Sequence, residues 1–336
     1  MSLANLGRLL RLVLGQDAAP DPGHSSVPAD DLGFSQDGPA GELTPDAVGA
    51  YLAWLLGVDH GKPARVARSP ALLAQAADLE INSKGSCVRL LRRSPTVLPR
   101  LIRILRNETY SIAELASQIQ QDTVLTAEVL RMARSALYAR QPGAAIHVRQ
   151  AVAILGSTGV EQVIARVVAR PLYRSDGSSL QARSAERLWQ ESERCAIACV
   201  QLARTEGVDG FDAYVAGLLQ NAGWSALLRI FEIHGVEPVL TANVLLDAVH
   251  QQALLRRRDQ LLARLIPAWE LTPGLTAMAS SLGSDLAGPE LPLARVLRTA
   301  QELTMRRRLA ELAWQEQPLH DAAMGHDFLA TQPAAW

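Results

Sequence analysis

Apolar residues recur three and four apart through most of the chain, and strict apolar–polar alternation nowhere lasts beyond a few residues. That period predicts helices, and strands are not expected. Residues 2–14 place Leu3, Leu6, Leu10, Val13 and Leu14 on one stripe, with Arg8 and Arg11 elsewhere. Such a short cationic amphipathic helix suits docking on its own domain or a partner, and alternatively a membrane surface. Residues 15–45 lose the period and fill with Pro, Gly, Asp and Ser, as a flexible linker does. Thr44 then offers a cap and Pro45 a first helical residue for a helix over 44–58, and another fits 71–81.

From residue 97 the pattern sharpens. Ser111-Ile112-Ala113-Glu114 reads as a capping box opening one helix, and Asp122 as the cap of a second that runs to about Tyr138. Pro142-Gly143 ends it. Further helices are expected over 148–155, 160–168, 182–204, 211–231, 242–265, 273–282 and 292–314. The chain therefore divides into an amphipathic helix (1–14), a linker (15–45), a helical N-terminal region (46–93), a main helical domain (94–285), a C-terminal helical segment (286–316) and a tail (317–336).

Composition agrees with packed helices. Apolar residues make up 48% of the 336, but aromatics only 4%, so the core must be built from Leu, Val, Ile and Ala. Lys plus Arg number 33 against 34 Asp plus Glu, which removes the basic excess that nucleic-acid binding usually needs. Arg256-Arg257-Arg258 and Arg306-Arg307-Arg308 read as solvated helix faces. Cys195 and Cys199 lie four apart amid Ala and Val, and read as small core side chains rather than a redox or metal pair. No signal-peptide pattern opens the chain. The most apolar window, 213–231, is interrupted by Gln220, Asn221 and Arg229, so no transmembrane span is expected and a cytoplasmic location is.

Three segments, in order, carry a resemblance. The first runs from Leu98-Pro99 through Asp122, Leu125, Thr126, Ala127, Leu130, Ala133, Ser135 and Tyr138 to Ile146, Ala151, Ile154, Leu155 and Gly156. The second comprises Leu188-Trp189, Ser192 and Ala196, then Ala216-Gly217-Leu218-Leu219-Gln220-Asn221-Ala222-Gly223. The third is Leu265, Trp269, Leu271 and Pro273. Together they resemble the HDOD domain family, degenerate relatives of the HD metal phosphohydrolases. The chain departs from the family pattern at Thr123, where Pro is usual, and at Arg134, where Asn is usual. The resemblance implies an all-α HDOD-like bundle and a regulatory role in bacterial signal transduction through protein contacts. Trp189, Gly217, Gly223, Trp269 and Pro273 are then structural residues.

HD hydrolases hold one or two divalent metals with His and Asp, and the metal lowers the pKa of a bound water and clamps phosphate oxygens. By the resemblance, the adjacent His-Asp pair falls on Gln220-Asn221, the first metal His near Glu191 and a later one near Arg258. Two neutral amides and a guanidinium cannot supply the negative charge that cations require. A pseudoenzyme without catalytic residues, metal or cofactor is expected. Glu191, Gln220, Asn221 and Arg258 would line a vestigial pocket, open either to a nucleotide or other anionic ligand or to mutual satisfaction of these polar groups. The alternatives are a divergent HD-type metal-dependent phosphohydrolase or phosphodiesterase using Glu191 and other carboxylates, and a membrane-associated scaffold acting through residues 2–14. His320-Asp321 and His326-Asp327 are literal His-Asp pairs, but they lie in the tail. His234 and His250 read as surface or helix-end residues.

Overall fold

A computed structural model describes residues 43–58, 69–83, 87–91, 112–120, 123–133, 147–174, 179–283 and 290–329. Among the described residues there is no strand. The helices are α1 (Pro45–Leu56), α2 (Ala71–Ile81), α3 (Ile112–Ile119), α4 (Thr123–Ala133), α5 (Val148–Ala169), α6 (Leu180–Glu206), α7 (Gly210–Leu219), α8 (Ala222–Ile233), α9 (Ala242–Leu246), α10 (Ala248–Ala268), α11 (Pro273–Leu282) and α12 (Pro292–Leu329).

Local chemistry sets most of these boundaries. Thr44, Ser179, Asp209, Thr241, Asp247 and Thr272 each accept a hydrogen bond from a first-turn amide, satisfying donors that the helix leaves open. Pro45 and Pro273 follow their caps at the first helical position, where a missing N–H costs nothing. The break between 148–155 and 160–168 is a kink within α5 at Gly156, with φ 65° and ψ −175°, a conformation open almost only to glycine.

Two expected helices are each divided in the structure. One helix is expected over 211–231, yet α7 ends at Leu219 and α8 begins at Ala222, so the division falls on the polar pair Gln220-Asn221. Residues 242–265 divide at Asp247, whose carboxylate accepts from the amides of Val249 and His250 and thereby starts α10. In the other direction, α12 continues to Leu329, so His320-Asp321 and His326-Asp327 sit on a helical backbone and not in an irregular tail. The amphipathic stretch 2–14, the linker to residue 42, and Ser111, Asp122, Ser135 and Tyr138 lie outside the described residues.

Helix α6 forms the axis of the core. It packs on α7, and α12 and α1 lie across it; α8, α10 and α11 continue the same core, with α2 against α8 and α10. Helices α3 and α4 reach the bundle through α5, which packs against α7. Leu188, Cys195, Ala196, Cys199, Leu219, Leu227, Phe231 and Leu265 are completely buried, the aliphatic core that the scarcity of aromatics demands. Cys195 and Cys199 are free thiols with sulfurs 4.0 Å apart, and both are core residues.

Ion pairs at helix junctions hold this arrangement together. Arg166 of α5 pairs with Glu128 of α4 at 3.2 Å and with Glu193 of α6. Arg257 of α10 forms two bonds to Asp78 of α2, at 2.9 and 2.7 Å. Arg264 donates to the carbonyls of Glu80, Ile81 and Ser83, neutralising the C-terminal end of α2. Arg257, Arg258 and Arg308 therefore do not lie on solvated faces, as their triplets suggest. Their side chains keep only 17%, 14% and 12% exposure because each spans a contact between helices.

Among the described residues one stretch, Val148–Tyr173, is long and apolar enough to cross a membrane by length and composition. It is mostly buried in the bundle and broken at Gly156.

Candidate functional site

The junction of α7 and α8 is built by the run Gly217-Leu218-Leu219-Gln220-Asn221-Ala222-Gly223. A Cβ on Gly217 would lie 2.4 Å from the Cα of Ala196, so glycine is what lets α7 press onto α6. A Cβ on Gly223 would lie 2.4 Å from the carbonyl oxygen of Arg258, and the same logic brings α8 against α10. The two amides sit between these close approaches. Asn221 is 2% exposed, and its side chain donates to the Leu188 carbonyl at 3.0 Å instead of capping α8. Gln220 is 4% exposed and accepts from Gln301 of α12 at 2.8 Å.

Glu191 lies nearby in α6, fully buried. One carboxylate oxygen accepts from Nε and a terminal nitrogen of Arg308, at 3.0 and 2.7 Å. The other has no hydrogen-bond partner among the described residues. Burial pushes the Glu191 carboxyl above its ordinary value, and Arg308, then Arg194 at 3.9 Å, pull it back. Arg308 also bonds Glu311 at 2.6 Å and lies 4.5 Å from the centre of the Trp54 ring. Arg187 approaches the same ring at 5.7 Å and donates to the Trp54 carbonyl. One ion pair thus joins α6, α12 and α1.

Arg258 does not reach Glu191. It pairs with Asp259 at 2.9 and 2.7 Å and lies 5.9 Å from the centre of the Trp224 ring. The structure brings Gln220, Asn221 and Arg258 to the wall of one cavity of about 310 Å³, and leaves Glu191 beside it under Arg308. Tyr51, Leu52 and Leu55 of α1 and Gln301, Thr304 and Met305 of α12 complete much of that wall. Burial, and then the Glu191 carboxylate, push the Tyr51 hydroxyl well above its ordinary value.

The donor set does not fit a divalent metal. Glu191 is the single carboxylate of the four expected site residues, and its charge is already opposed by Arg308. Gln220 and Asn221 carry no charge, and Arg258, a guanidinium paired with Asp259, has no lone pair to offer a cation. Among the described residues no group of three or more His, Cys, Asp or Glu side chains could hold a metal ion.

A family model described as the HDOD domain matches residues 91–281, more than half of the chain. The chain belongs to the HDOD family. Three solved structures are similar to this HDOD protein. One, from Shewanella amazonensis and provisionally named a metal-dependent phosphohydrolase, shares 20% identity over 69% of this chain and 81% of its own, with a TM-score of 0.50. Another is an HDOD domain protein of unknown function from Geobacter sulfurreducens, with 21% identity, 72% and 80% coverage and a TM-score of 0.49. A third, provisionally named a signal transduction protein, is from Marinobacter aquaeolei, with 20% identity, 84% and 66% coverage and a TM-score of 0.45. At 20% identity and a TM-score of 0.50, the likeness to the first speaks for the fold alone. No curated protein matches the chain.

The HDOD motif residues that the structure describes have packing tasks. Leu125, Ala133 and Leu155 are buried, and Gly156 makes the α5 kink. Trp189 is buried with the Tyr173 ring 5.6 Å away and the Arg166 guanidinium 5.8 Å from its centre. Trp269 ends α10 and Pro273 starts α11.

Motif reading misses Tyr51, Trp54, Gln301 and Arg308, because they lie outside the segment that carries the resemblance. A signal for Arg308 is nonetheless present. It falls on the α12 stripe of Leu297, Ala300, Gln301 and Thr304, at spacings of three and four, which face the bundle.

Proposed function

We propose that this HDOD protein is a non-catalytic signal-transduction module that acts through contacts with other proteins. The observation that carries the reading is the ion pair on Glu191: a guanidinium tethered to α12 supplies the positive charge that a metal would supply in an HD hydrolase. The amides at Gln220-Asn221 support it, since they keep hydrogen-bonding capacity without the charge needed for two cations. A cytoplasmic setting goes with this reading, in keeping with three free, buried cysteines.

The test is metal content and turnover on the purified full chain. The expected result is well under one equivalent of bound transition metal, and no hydrolysis of bis-p-nitrophenyl phosphate or cyclic dinucleotides with added manganese, magnesium or iron. One or two equivalents of metal together with turnover would replace this reading with a divergent phosphohydrolase. The unpartnered second oxygen of Glu191 is the one feature that favours that alternative. One carboxylate oxygen is still far from a metal site that works on phosphate.

A further inference from the structure

The cavity at the α7–α8 junction has a chemistry of its own. Its apolar wall is made by Leu52, Leu55, Trp224, Leu255 and Met305. Two polar side chains on the wall are more than nine-tenths buried and carry groups with no partner among the described residues: the Tyr51 hydroxyl and the Gln220 amide nitrogen. Gln220 uses only its oxygen, on Gln301. Both groups open onto the cavity and are not sealed in the core, so water occupies them until a guest with a complementary polar head displaces it.

Charge narrows the class of guest. Arg258 is paired with Asp259, Arg298 with Glu290, and Glu302 with Arg306. Each charged side chain on the wall therefore already has an oppositely charged partner within the protein, and none is left over as a dedicated counter-charge for an anion or a cation. An ionised guest would lose its hydration without gaining a free counter-charge. The volume, about 310 Å³, is at the small end of the range for small-molecule sites, about 300–1,000 Å³.

We infer that this cavity is a binding site for a small uncharged amphiphile, with an apolar body against α1 and α12 and an amide, carbonyl or hydroxyl head at Tyr51 and Gln220. The site is not confined to the HDOD match at 91–281, because α1 and α12 lie on either side of that segment and close it. Occupancy then stabilises the docking of both flanking helices by mass action. This inference rests on the cavity alone and holds whether or not the chain is catalytic.

The test titrates the full chain with octanamide, octanoate, octylammonium and adenosine monophosphate by calorimetry and thermal unfolding. Octanamide is expected to bind saturably at one site, at least tenfold tighter than either charged eight-carbon analogue, and to raise the unfolding temperature. Gln220→Leu, which keeps the bulk and removes the donor, is expected to weaken it about tenfold. Met305→Trp, which fills the cavity from α12, is expected to abolish it. Circular dichroism establishes that each variant is folded, and either one alone suffices for the test. The inference is overturned if octanoate or the nucleotide binds as tightly as octanamide, if octanamide shows no saturable binding, or if a folded variant binds it unchanged. None of these outcomes touches metal content or turnover, so the two proposals fail separately.

Discussion

Replacing Arg308 with Met probes the ion pair that stands at the centre of the site. Glu191 is completely buried and Arg308 is 12% exposed, so the substitution leaves a carboxylate in the core without its main counter-charge. Breaking a buried pair from one side costs about 3–5 kcal/mol, because the remaining ion keeps its desolvation penalty and loses its compensation. Loss of the guanidinium from the Trp54 ring adds about 0.5–2 kcal/mol. Arg194 relieves part of this, since it sits 3.9 Å from Glu191, but it is already held by Glu311 at 2.9 Å. A net loss of about 3 kcal/mol is a large part of the roughly 5–15 kcal/mol by which folded domains are stable. Urea unfolding followed by circular dichroism measures it directly.

The sign of the pH dependence follows from Glu191. Burial raises its folded-state pKa, and removing Arg308 raises it further. The folded state then binds the proton more readily than the unfolded chain, so stability falls as pH rises from the ordinary glutamate value, about 4.3, toward the raised folded value. The Arg308→Met penalty should be full at pH 8 and much reduced near pH 5. Glu191→Met should cost about 1–3 kcal/mol, because Arg308 keeps Glu311 and Trp54. The double variant, with an apolar pair in place of the ionic one, should lie within about 2 kcal/mol of the native protein. A loss below about 1 kcal/mol at pH 8, a penalty independent of pH, or simple additivity in the double variant would refute the reasoning.

Other substitutions test the frame around the site. Gly217→Ala places a Cβ 2.4 Å from the Ala196 backbone and should cost about 1–3 kcal/mol or more by forcing α7 off α6, read as a shift in the urea midpoint. Gly156→Ala has open space around its new methyl, so its cost, about 1–3 kcal/mol, is backbone strain alone, and the Trp189 environment should be unchanged by near-ultraviolet dichroism. Asp247→Ala removes the α10 cap. Amide and side-chain bonds from His250 hold the Asp247 carboxyl below its usual range, so its contribution is present above the unfolded value and disappears as pH falls through the lower folded one. The difference in melting temperature between Asp247→Ala and the native chain should therefore shrink under acid.

Helix type and most starting points are legible in the sequence because caps are local chemistry: Thr44-Pro45 and Thr272-Pro273 announce their helices within two residues. The division of 211–231 is not legible from periodicity, since two polar residues, Gln220-Asn221, do not by themselves end a helix and the apolar spacing resumes after them. It comes from tertiary demands, the Asn221 amide turned to Leu188 and two glycines pressed against α6 and α10. The same limit governs the site. Gln220, Asn221 and Arg258 can be found from a motif and do share one cavity, whereas the placement of Glu191 depends on Arg308, 117 positions away in the chain. A charged residue's partner across that distance leaves no local trace. Its helical stripe shows only that Arg308 faces inward.

An exchangeable ion and a tethered guanidinium do different work beside a buried carboxylate. A metal among helices can leave by itself, and its departure leaves the helices where they were. Arg308 can leave Glu191 only if α12 moves or its side chain swings out, and Trp54 and Glu311 resist both. Opening this site is therefore coupled to the position of α12 and, through the Trp54 ring and the Arg187 bond to its carbonyl, to α1. Both helices lie outside the HDOD match, α1 before it and α12 after it. Two arrangements of a buried pair, closed and broken, differ by several kcal/mol, which is the scale at which a partner's differential contacts shift a population. On the proposed non-catalytic reading, the Glu191–Arg308 pair is the point at which a partner's contact with α12 or α1 would reach the core.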